Sequence, residues 1–144
     1  MIAKFEGQYF FLSNFFECPV TYKGLTFKNA EAAFHSQKAP YRASEFCNLS
    51  PSESKRLGRK VYLRADWETI KDEIMYEVLV AKFTQNAALK ILLLRTGDQE
   101  LVEGNWWNDT YWGVCKGEGK NTLGKLLMKL RSELKEGKYG GSID

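Results

Sequence analysis

The apolar residues of the first 28 positions fall into short segments separated by Gly7, Pro19 and Gly24. Four of these segments are predicted to be extended, namely residues 2–5, 9–12, 20–22 and 25–28. Lys23-Gly24, between the last two segments, is a hairpin-turn signal, because such turns favour residues that tolerate positive φ. This part of the chain predicts a small antiparallel β-sheet.

Helical spacing of the apolar residues begins at Asn29. Asn29 is a possible N-cap, and the helix that follows is predicted to reach Ala39, where Pro40 stops it. Apolar residues at helical intervals then predict four more helices, which begin at Ser50-Pro51, near Asp66 or Trp67, after Asn86, and at Thr122, the last ending at Leu134. The predicted fold class is therefore α+β, a mostly helical single domain over residues 1–144 with a small antiparallel β-sheet.

The length and composition of the chain indicate one globular domain. The chain has 144 residues, of which 44% are hydrophobic and 27% charged, enough for one core. The net charge is +3 and the pI about 8.7, which suits a phosphate-bearing substrate. This mild charge lacks the basic block expected of a general DNA-binding protein.

Cysteine and histidine usage narrows the chemistry. Three irregularly spaced cysteines form no disulfide framework or CxxC site, and the single histidine argues against a zinc site. A carboxylate-bound magnesium stays open, but no metal or cofactor is expected. The first residues lack the features of a signal peptide, and no run of about 18 apolar residues would cross a membrane. We expect a cytoplasmic protein without a membrane partner.

The most unusual segment is the non-periodic run of residues 101–113. It contains three Trp, one Tyr, two carboxylates and two Asn just ahead of the last predicted helix. Core aromatics normally recur at helix or strand spacing. Aromatics that surround Asp109 instead suit a ring-stacking pocket with a charged group inside it, although an Asp after Asn is more often a turn residue.

A second constellation lies on the first predicted helix. Glu31, His35 and Lys38 have i, i+4 and i+7 spacing, which puts them on one face. On spacing alone, the preferred interpretation is a solvated stripe with an i,i+4 polar pair. The opposite face is short of large apolar residues for an ordinary amphipathic helix, so a buried functional cluster stays open.

Two further features are candidates for phosphate binding. Glycines 113, 117 and 119 precede the last helix, where backbone N–H groups and the helix dipole favour an anion, but the stretch is not a P-loop. A flexible surface loop with Asn121 as an ordinary N-cap is an equal alternative. Arg59 belongs to a basic string that solvated surface explains best, yet beside Gly58 it is also within reach of a phosphate.

Taken together, ordered motifs across the chain resemble the NADAR family, the YbiA-like N-glycosidases. The resemblance covers residues 9–135. Its motifs are Leu12-Ser13-Asn14-Phe15, Glu31 with Phe34-His35-Ser36-Gln37-Lys38, Leu57-Gly58-Arg59, Trp67-Glu68, Ala81-Lys82-Phe83, Leu92-Leu93-Leu94-Arg95-Thr96-Gly97, Leu101-Val102-Glu103, Asn108-Asp109, Tyr111-Trp112-Gly113 and Gly119-Lys120-Asn121-Thr122-Leu123-Gly124.

The resemblance implies a compact α+β enzyme that hydrolyses the bond between ribose C1′ and an exocyclic amine of a heterocycle. Two phosphorylated ribosyl substrates are associated with the family: ribosylamino-pyrimidine phosphates of riboflavin synthesis, and ADP-ribose attached to guanine in nucleic acid. The alternative is a non-catalytic module that binds ADP-ribose or nucleotides. Neither the resemblance nor the pattern predicts an oligomeric state.

The same resemblance assigns site residues. The implied catalytic residues are Glu31, Asp109, Trp67 and Lys38, and the implied substrate-binding residues are Asn14, Phe15, Arg59, Trp112, Gly113, Lys120 and Asn121. Glu31 would transfer protons, and Asp109 would stabilise cationic character at C1′ or activate water. Trp67 would stack on the leaving heterocycle, with Trp112 or Phe15 on its other side.

Lys38 has two open roles, and two departures from the family affect the pocket. Lys38 would act either as a Schiff-base nucleophile on the opened sugar or as a partner of a phosphate or carboxylate. Ala30 replaces a hydroxyl residue often found before the glutamate, which affects how Glu31 is held. The bulky Asn105-Trp106-Trp107 replaces smaller polar residues and would reshape the pocket rim.

Overall fold

The computed structural model describes residues 1–140, which divide into two compact units. Unit 1 comprises residues 1–13 and 87–140, and unit 2 comprises Asn14–Asn86. About half of the described chain is helical, and the α+β class is confirmed. The elements are β1 (Glu17–Tyr22), β2 (Leu25–Asn29), α1 (Ala30–Ser36), α2 (Pro51–Gly58), α3 (Trp67–Gln85), α4 (Ala87–Arg95), β3 (Gly104–Asn105), β4 (Val114–Cys115) and α5 (Thr122–Lys135), with 3-10 helices at Gly7–Leu12 and Pro40–Phe46.

The hairpin of unit 2 forms as predicted. Strands β1 and β2 are antiparallel with Val20 opposite Phe27, and the turn between them has φ of 52° at Lys23 and 82° at Gly24. Alternate side chains of β1 are buried. Helix α3 packs on this strand and contributes core residues such as Val78 and Phe83.

Helix α1 follows β2 directly and is buried along its whole length. The Asn29 side chain caps it by accepting a hydrogen bond from the Ala32 amide at 2.7 Å. The predicted end at Ala39 is wrong, because the helix stops at Ser36. Pro40 instead occupies the first turn of the 3-10 helix, where its fixed φ is tolerated.

Helices α2 and α3 begin at the predicted positions, but only α2 has a side-chain cap. Ser50 and Glu53 form a reciprocal capping box at the start of α2, with Pro51 in the first turn. Helix α3 begins at Trp67 after Asp66, whose side chain makes no capping hydrogen bond. Helix α1 packs against α2 and α3, so the three helices and the hairpin form the core of unit 2.

Unit 1 departs most from the prediction. Residues 9–12 are not a strand but part of a 3-10 helix, in which the consecutive Phe11 and Leu12 are both buried. Residues 2–5 form no strand either, and only Ile2 makes a bridge, to Leu101. Strands β3 and β4 form a short parallel pair, and α4 packs against α5.

Within residues 1–140, no helix combines the length and the apolar character that a membrane span requires.

Candidate active site

The centre of unit 2 contains a buried, hydrogen-bonded cluster on α1. Glu31 is 9% exposed and His35 is 6% exposed, and the His35 Nε2 lies 3.1 Å from the Glu31 Oε2. The i,i+4 spacing thus brings the two side chains together, but the expected solvated stripe is wrong. All seven residues of α1 are buried because α2, α3 and the hairpin enclose the helix.

His35 is the functional candidate that the sequence analysis did not select. Its Nδ1 is buried and has no hydrogen-bond partner in the described residues. A Cβ on Gly58 would lie only 2.6 Å from this nitrogen, so α2 presses on the imidazole from the other side. The proton therefore belongs on Nε2, where it can be donated to Glu31. The i,i+4 spacing with an acidic residue was the available signal.

Lys38 follows α1 and belongs to the same cluster. Its Nζ lies 5.8 Å from the centre of the Trp67 ring, and its carbonyl accepts a hydrogen bond from the Arg64 amide at 2.9 Å. Burial lowers the pKa of the Lys38 ammonium; Glu31 opposes the shift, and Arg59 adds to it. A half-buried lysine with a lowered pKa holds more neutral amine near pH 7 than an exposed one, as a nucleophile requires.

Trp67 forms an apolar wall of this cluster. Its ring packs against Phe34 at 5.1 Å between centroids, and Lys38 lies on it. The side chain is 5% exposed, which leaves little ring surface for a heterocycle. Trp67 therefore shields Lys38 from water and so contributes to the lowered pKa, and its stacking on a heterocycle stays a prediction.

Asn14 joins the cluster through the main chain. Its carbonyl accepts a hydrogen bond from the Glu31 amide at 3.1 Å, and its Nδ2 donates to the Met75 sulfur at 3.3 Å. The Oδ1 is buried and has no partner in the described residues, so this oxygen is available to a ligand. Phe15, the next residue, is 36% exposed and offers an accessible ring.

Arg59 caps the end of α2 and is exposed. It is close enough to Lys38 to lower the pKa of that lysine. Arg64, from the same basic string, pairs instead with Asp66 at 2.7 Å. The Arg64 guanidinium also donates to the Gln37 carbonyl at 3.4 Å, so it is occupied within the protein, and the role of Arg59 in phosphate binding stays a prediction.

In unit 1, the predicted carboxylate lies in a loop held by side-chain hydrogen bonds. The Asp109 Oδ1 accepts from the amides of Tyr111 and Trp112 at 3.2 and 2.9 Å, as in an Asx turn. Asn105 binds both backbone groups of Asp109, at 3.0 and 2.9 Å, and donates to Glu103 Oε2 at 3.0 Å. The carboxylate is thus fixed by one oxygen.

The aromatic residues of this loop divide into two pairs. Trp106 and Trp107 are 80% and 45% exposed and form an edge-to-face pair. Tyr111 and Trp112 form a second edge-to-face pair with centroids 4.9 Å apart. The bulky departure from the family pattern therefore has two parts: Asn105 holds the loop, and the two tryptophans that follow it are presented to solvent.

Gly113 and Asn121 position this loop against neighbouring chain segments. A side chain on Gly113 would collide with Glu103, so the close approach requires glycine. Asn121 donates to the Leu101 carbonyl and accepts from the Glu103 amide, both at 2.9 Å. Both ends of the Asn121 amide are therefore bound within the protein.

The start of α5 differs from the expected anion site. The amides of Thr122 and Leu123 donate to the carbonyls of Tyr111 and Trp112, at 3.1 and 3.0 Å. The expectation that the first amides of this helix are free for an anion is therefore wrong. Lys120 remains exposed, with its Nζ 5.1 Å from the centre of the Tyr111 ring.

The described residues contain no group of three or more His, Cys, Asp or Glu side chains arranged to hold a metal ion. Cys18, Cys47 and Cys115 are free thiols.

Comparison with known proteins agrees with this architecture. The NADAR domain family model matches residues 3–135. An N-glycosidase YbiA of Escherichia coli (strain K12) is 42% identical over 128 residues, which is 85% of this chain and 79% of that protein. A riboflavin biosynthesis protein of Vibrio vulnificus is 35% identical over 132 residues, 88% of this chain and 36% of that protein.

A solved structure has the same fold. The NMR structure of the Escherichia coli protein YbiA superposes with a TM-score of 0.82 at 37% sequence identity, covering 99% of this chain and 91% of that one.

Proposed function

The chain belongs to the NADAR domain family and is a hydrolase acting on N-glycosyl bonds, and from this premise we propose that it cleaves the bond between ribose C1′ and an exocyclic amine of a phosphorylated ribosyl substrate. The observation that carries the proposal is the buried Glu31–His35 pair of α1 with Lys38 beside it. A carboxylate that accepts a hydrogen bond from a neighbouring side chain of the protein is suited to proton transfer.

The chemistry begins with the substrate itself. The lone pair of the exocyclic nitrogen opens the ribose ring, so that C1′ becomes an imine carbon. The neutral Lys38 amine adds to C1′, and a proton passed through Glu31 lets the heterocyclic amine leave, which creates an imine between Lys38 and the sugar. Water then adds to C1′ and releases the sugar aldehyde together with the free Lys38 amine.

Each residue of unit 2 has one task in this scheme. Glu31 moves protons, and His35 holds the Glu31 carboxylate through its Nε2 proton. Trp67 keeps water from Lys38. Asn14 offers its unpaired Oδ1 to a hydroxyl of the sugar. Arg59 carries the substrate phosphate.

The unit 1 residues keep the roles that the family resemblance implies. Asp109 stabilises cationic character at C1′ or activates water, and its second carboxylate oxygen is the group for this role. Trp112 and Gly113 contact the heterocycle. Lys120 is assigned to the substrate phosphate through its side chain rather than through the amides of α5, and Asn121 supports this role by holding the neighbouring loop at Leu101 and Glu103.

We propose ribosylamino-pyrimidine phosphates of riboflavin synthesis as the substrate class. A relative named as a riboflavin biosynthesis protein supports this choice. The second candidate is ADP-ribose attached to guanine in nucleic acid, which the solvent-exposed Trp106 and Trp107 favour, because exposed rings can stack on bases. We assign the reaction to the cytoplasm, with which three free thiols agree.

The test is turnover of both substrates by the purified wild-type protein. Each is incubated in water enriched in oxygen-18, and release of ribose 5-phosphate or ADP-ribose is followed by mass spectrometry. Label in the released sugar aldehyde, corrected for exchange of the free aldehyde in a protein-free control, supports hydrolysis at C1′. The substrate that turns over identifies the class.

Two results contradict the proposal. Binding of ADP-ribose without release from either substrate would make the protein a reader module. Release of the sugar without enzyme-dependent label at C1′ would mean that water does not take the place of the amine.

A further inference from the structure

We propose that unit 1 contains a second ligand site, a cavity that binds the phosphate of a nucleotide-sized molecule. The cavity has a volume of about 570 Å³ and is lined by residues of unit 1. That volume is in the range of small-molecule sites. Its cationic lining comes from Lys4, Lys116, Lys120 and Lys125, and the opposing charge comes from Glu100 alone.

Charge is concentrated at this cavity. Four lysines and one glutamate line it, whereas the other described residues of unit 1 carry six basic and seven acidic side chains. None of the four lysines forms an ion pair with a described carboxylate. Ammonium groups that line one cavity without carboxylate partners repel one another, and an anion bound among them reduces that repulsion.

Backbone donors lie in the same wall. Gly117 and Gly119 line the cavity, and their amides donate to no acceptor within residues 1–140. A Cβ on Gly119 would collide with the Gly113 carbonyl, so the turn needs glycine to pass this close to the loop. Free amides beside ammonium groups are the donor set that binds phosphate oxygens.

The lining also includes apolar side chains that suit the other part of a nucleotide. Val102, Val114 and Met128 contribute this surface. Methionine packs favourably on aromatic rings, so a base or another heterocycle can contact Met128 while the phosphate meets the lysines. The cavity therefore fits a phosphorylated nucleoside, either free or as one unit of a nucleic-acid strand.

Part of this cavity is shared with the proposed substrate site, because Lys120 is also assigned to the substrate phosphate and the sequence indicated Gly117 and Gly119 for phosphate binding. Lys4, Lys116 and Lys125 have no role in the proposed hydrolysis, so they distinguish this inference from it. Lys116 and Lys125 are exposed and lie outside the cluster of Glu31 and Lys38, so substituting them tests the cavity directly.

The experiment is calorimetric titration of the full chain with AMP, adenosine and a single-stranded ten-nucleotide DNA. The test variant is Lys116→Gln/Lys125→Gln, and the matched control is Lys90→Gln/Lys135→Gln, which removes two charges of unit 1 outside the cavity. Amide NMR spectra in the presence of AMP report on Gly117 and Gly119. Turnover by each preparation is measured separately.

We expect AMP to bind at least about tenfold more tightly than adenosine, and the test variant to lose at least about tenfold in affinity while the control is unchanged. The amide signals of Gly117 and Gly119 should shift. If only the DNA binds, and the Lys116→Gln/Lys125→Gln variant loses affinity for it, the cavity binds the phosphate of a nucleic-acid strand. Equal binding by wild type and test variant, or AMP binding no tighter than adenosine, would overturn the proposal. In that case, turnover by the wild-type protein would still support the hydrolase assignment.

Discussion

The α1 cluster of unit 2 and the loop of residues 103–113 in unit 1 hold their charged groups in different ways. Glu31 and His35 are enclosed by packed helices and contact each other, so burial fixes their geometry and lowers the pKa of the neighbouring Lys38. Asp109 is half-buried and is fixed by hydrogen bonds from its own loop and from Asn105.

This difference indicates a division of labour. A group that must exchange a proton or act as a neutral amine needs an environment that shifts its pKa, which packing provides. A group that orients a ligand needs a fixed direction, which a hydrogen-bonded loop provides without a low-dielectric environment. We therefore expect substitutions in the cluster to change the chemical step, and substitutions in the loop to change the local fold.

The largest effect is expected for Lys38→Arg. Arginine keeps the positive charge but does not supply a neutral amine, so turnover should fall by at least about 100-fold. Borohydride should trap the substrate sugar on the wild-type protein and not on the variant, as seen by intact mass. The wild-type rate should also rise with pH, with a midpoint below the ordinary pKa of lysine, since burial lowers the Lys38 pKa.

A Lys38→Arg variant that keeps its rate, together with no borohydride adduct on active wild-type protein, would return Lys38 to the role of a phosphate partner.

Asn105→Ala should have the largest effect on stability. It removes two hydrogen bonds to the Asp109 backbone and two to Glu103, so the free energy of unfolding should fall by roughly 2–3 kcal/mol. Urea denaturation measures the change. Asn105→Asp keeps the size but loses the donor, and exposed Gln99→Ala is the surface control. A decrease in the free energy of unfolding smaller than that of the Gln99 variant would show that Asn105 does not hold the loop.

Lys82→Met tests whether burial lowers the pKa of a lysine that lies outside the α1 cluster. Lys82 is fully buried on α3, and burial lowers its pKa to about 8. Because the unfolded chain binds this proton up to about pH 10.4, the wild type gains stability as pH rises from 8 to 10, by about 2 kcal/mol. The variant lacks this gain, so the difference in unfolding free energy between the two proteins should depend on pH. A difference that is constant over this range would mean that the Lys82 pKa is not lowered.

Gly58→Ala should have the smallest effect on stability. The new Cβ would meet the His35 Nδ1, so the imidazole must move, at a cost of about 1 kcal/mol after the gain in helix propensity. The rate should fall more than stability suggests, because His35 positions Glu31. Ser52→Ala on the exposed face of α2 is the control. Unchanged kinetics in a destabilised Gly58 variant would make His35 purely structural.

The features that could be predicted from the sequence are those with local determinants. The hairpin turn, the Asn29 cap and the Ser50–Glu53 box are local signals, and the structure contains each of them. The α1 spacing indicated which side chains meet, but it did not indicate burial, which depends on α2 and α3 packing around the helix.

The loop could not be predicted in this way. Asn121 binds the backbone at Leu101 and Glu103, about twenty positions away, and no periodicity encodes that contact. The occupied amides of α5 have the same cause, since their acceptors lie in the aromatic loop. Residues 9–12 are a short apolar run that was predicted to be extended, yet they belong to a 3-10 helix that buries two consecutive side chains.

The central claim is that the buried Glu31 carries out proton transfer in N-glycosyl hydrolysis. The most direct test compares Glu31→Gln with Glu73→Gln, an exposed carboxylate on α3, for sugar release from the substrate that the wild type turns over. We predict a loss of at least about 100-fold for Glu31→Gln with an unchanged thermal unfolding midpoint, and wild-type turnover for Glu73→Gln. Wild-type turnover by a folded Glu31→Gln protein would contradict the claim.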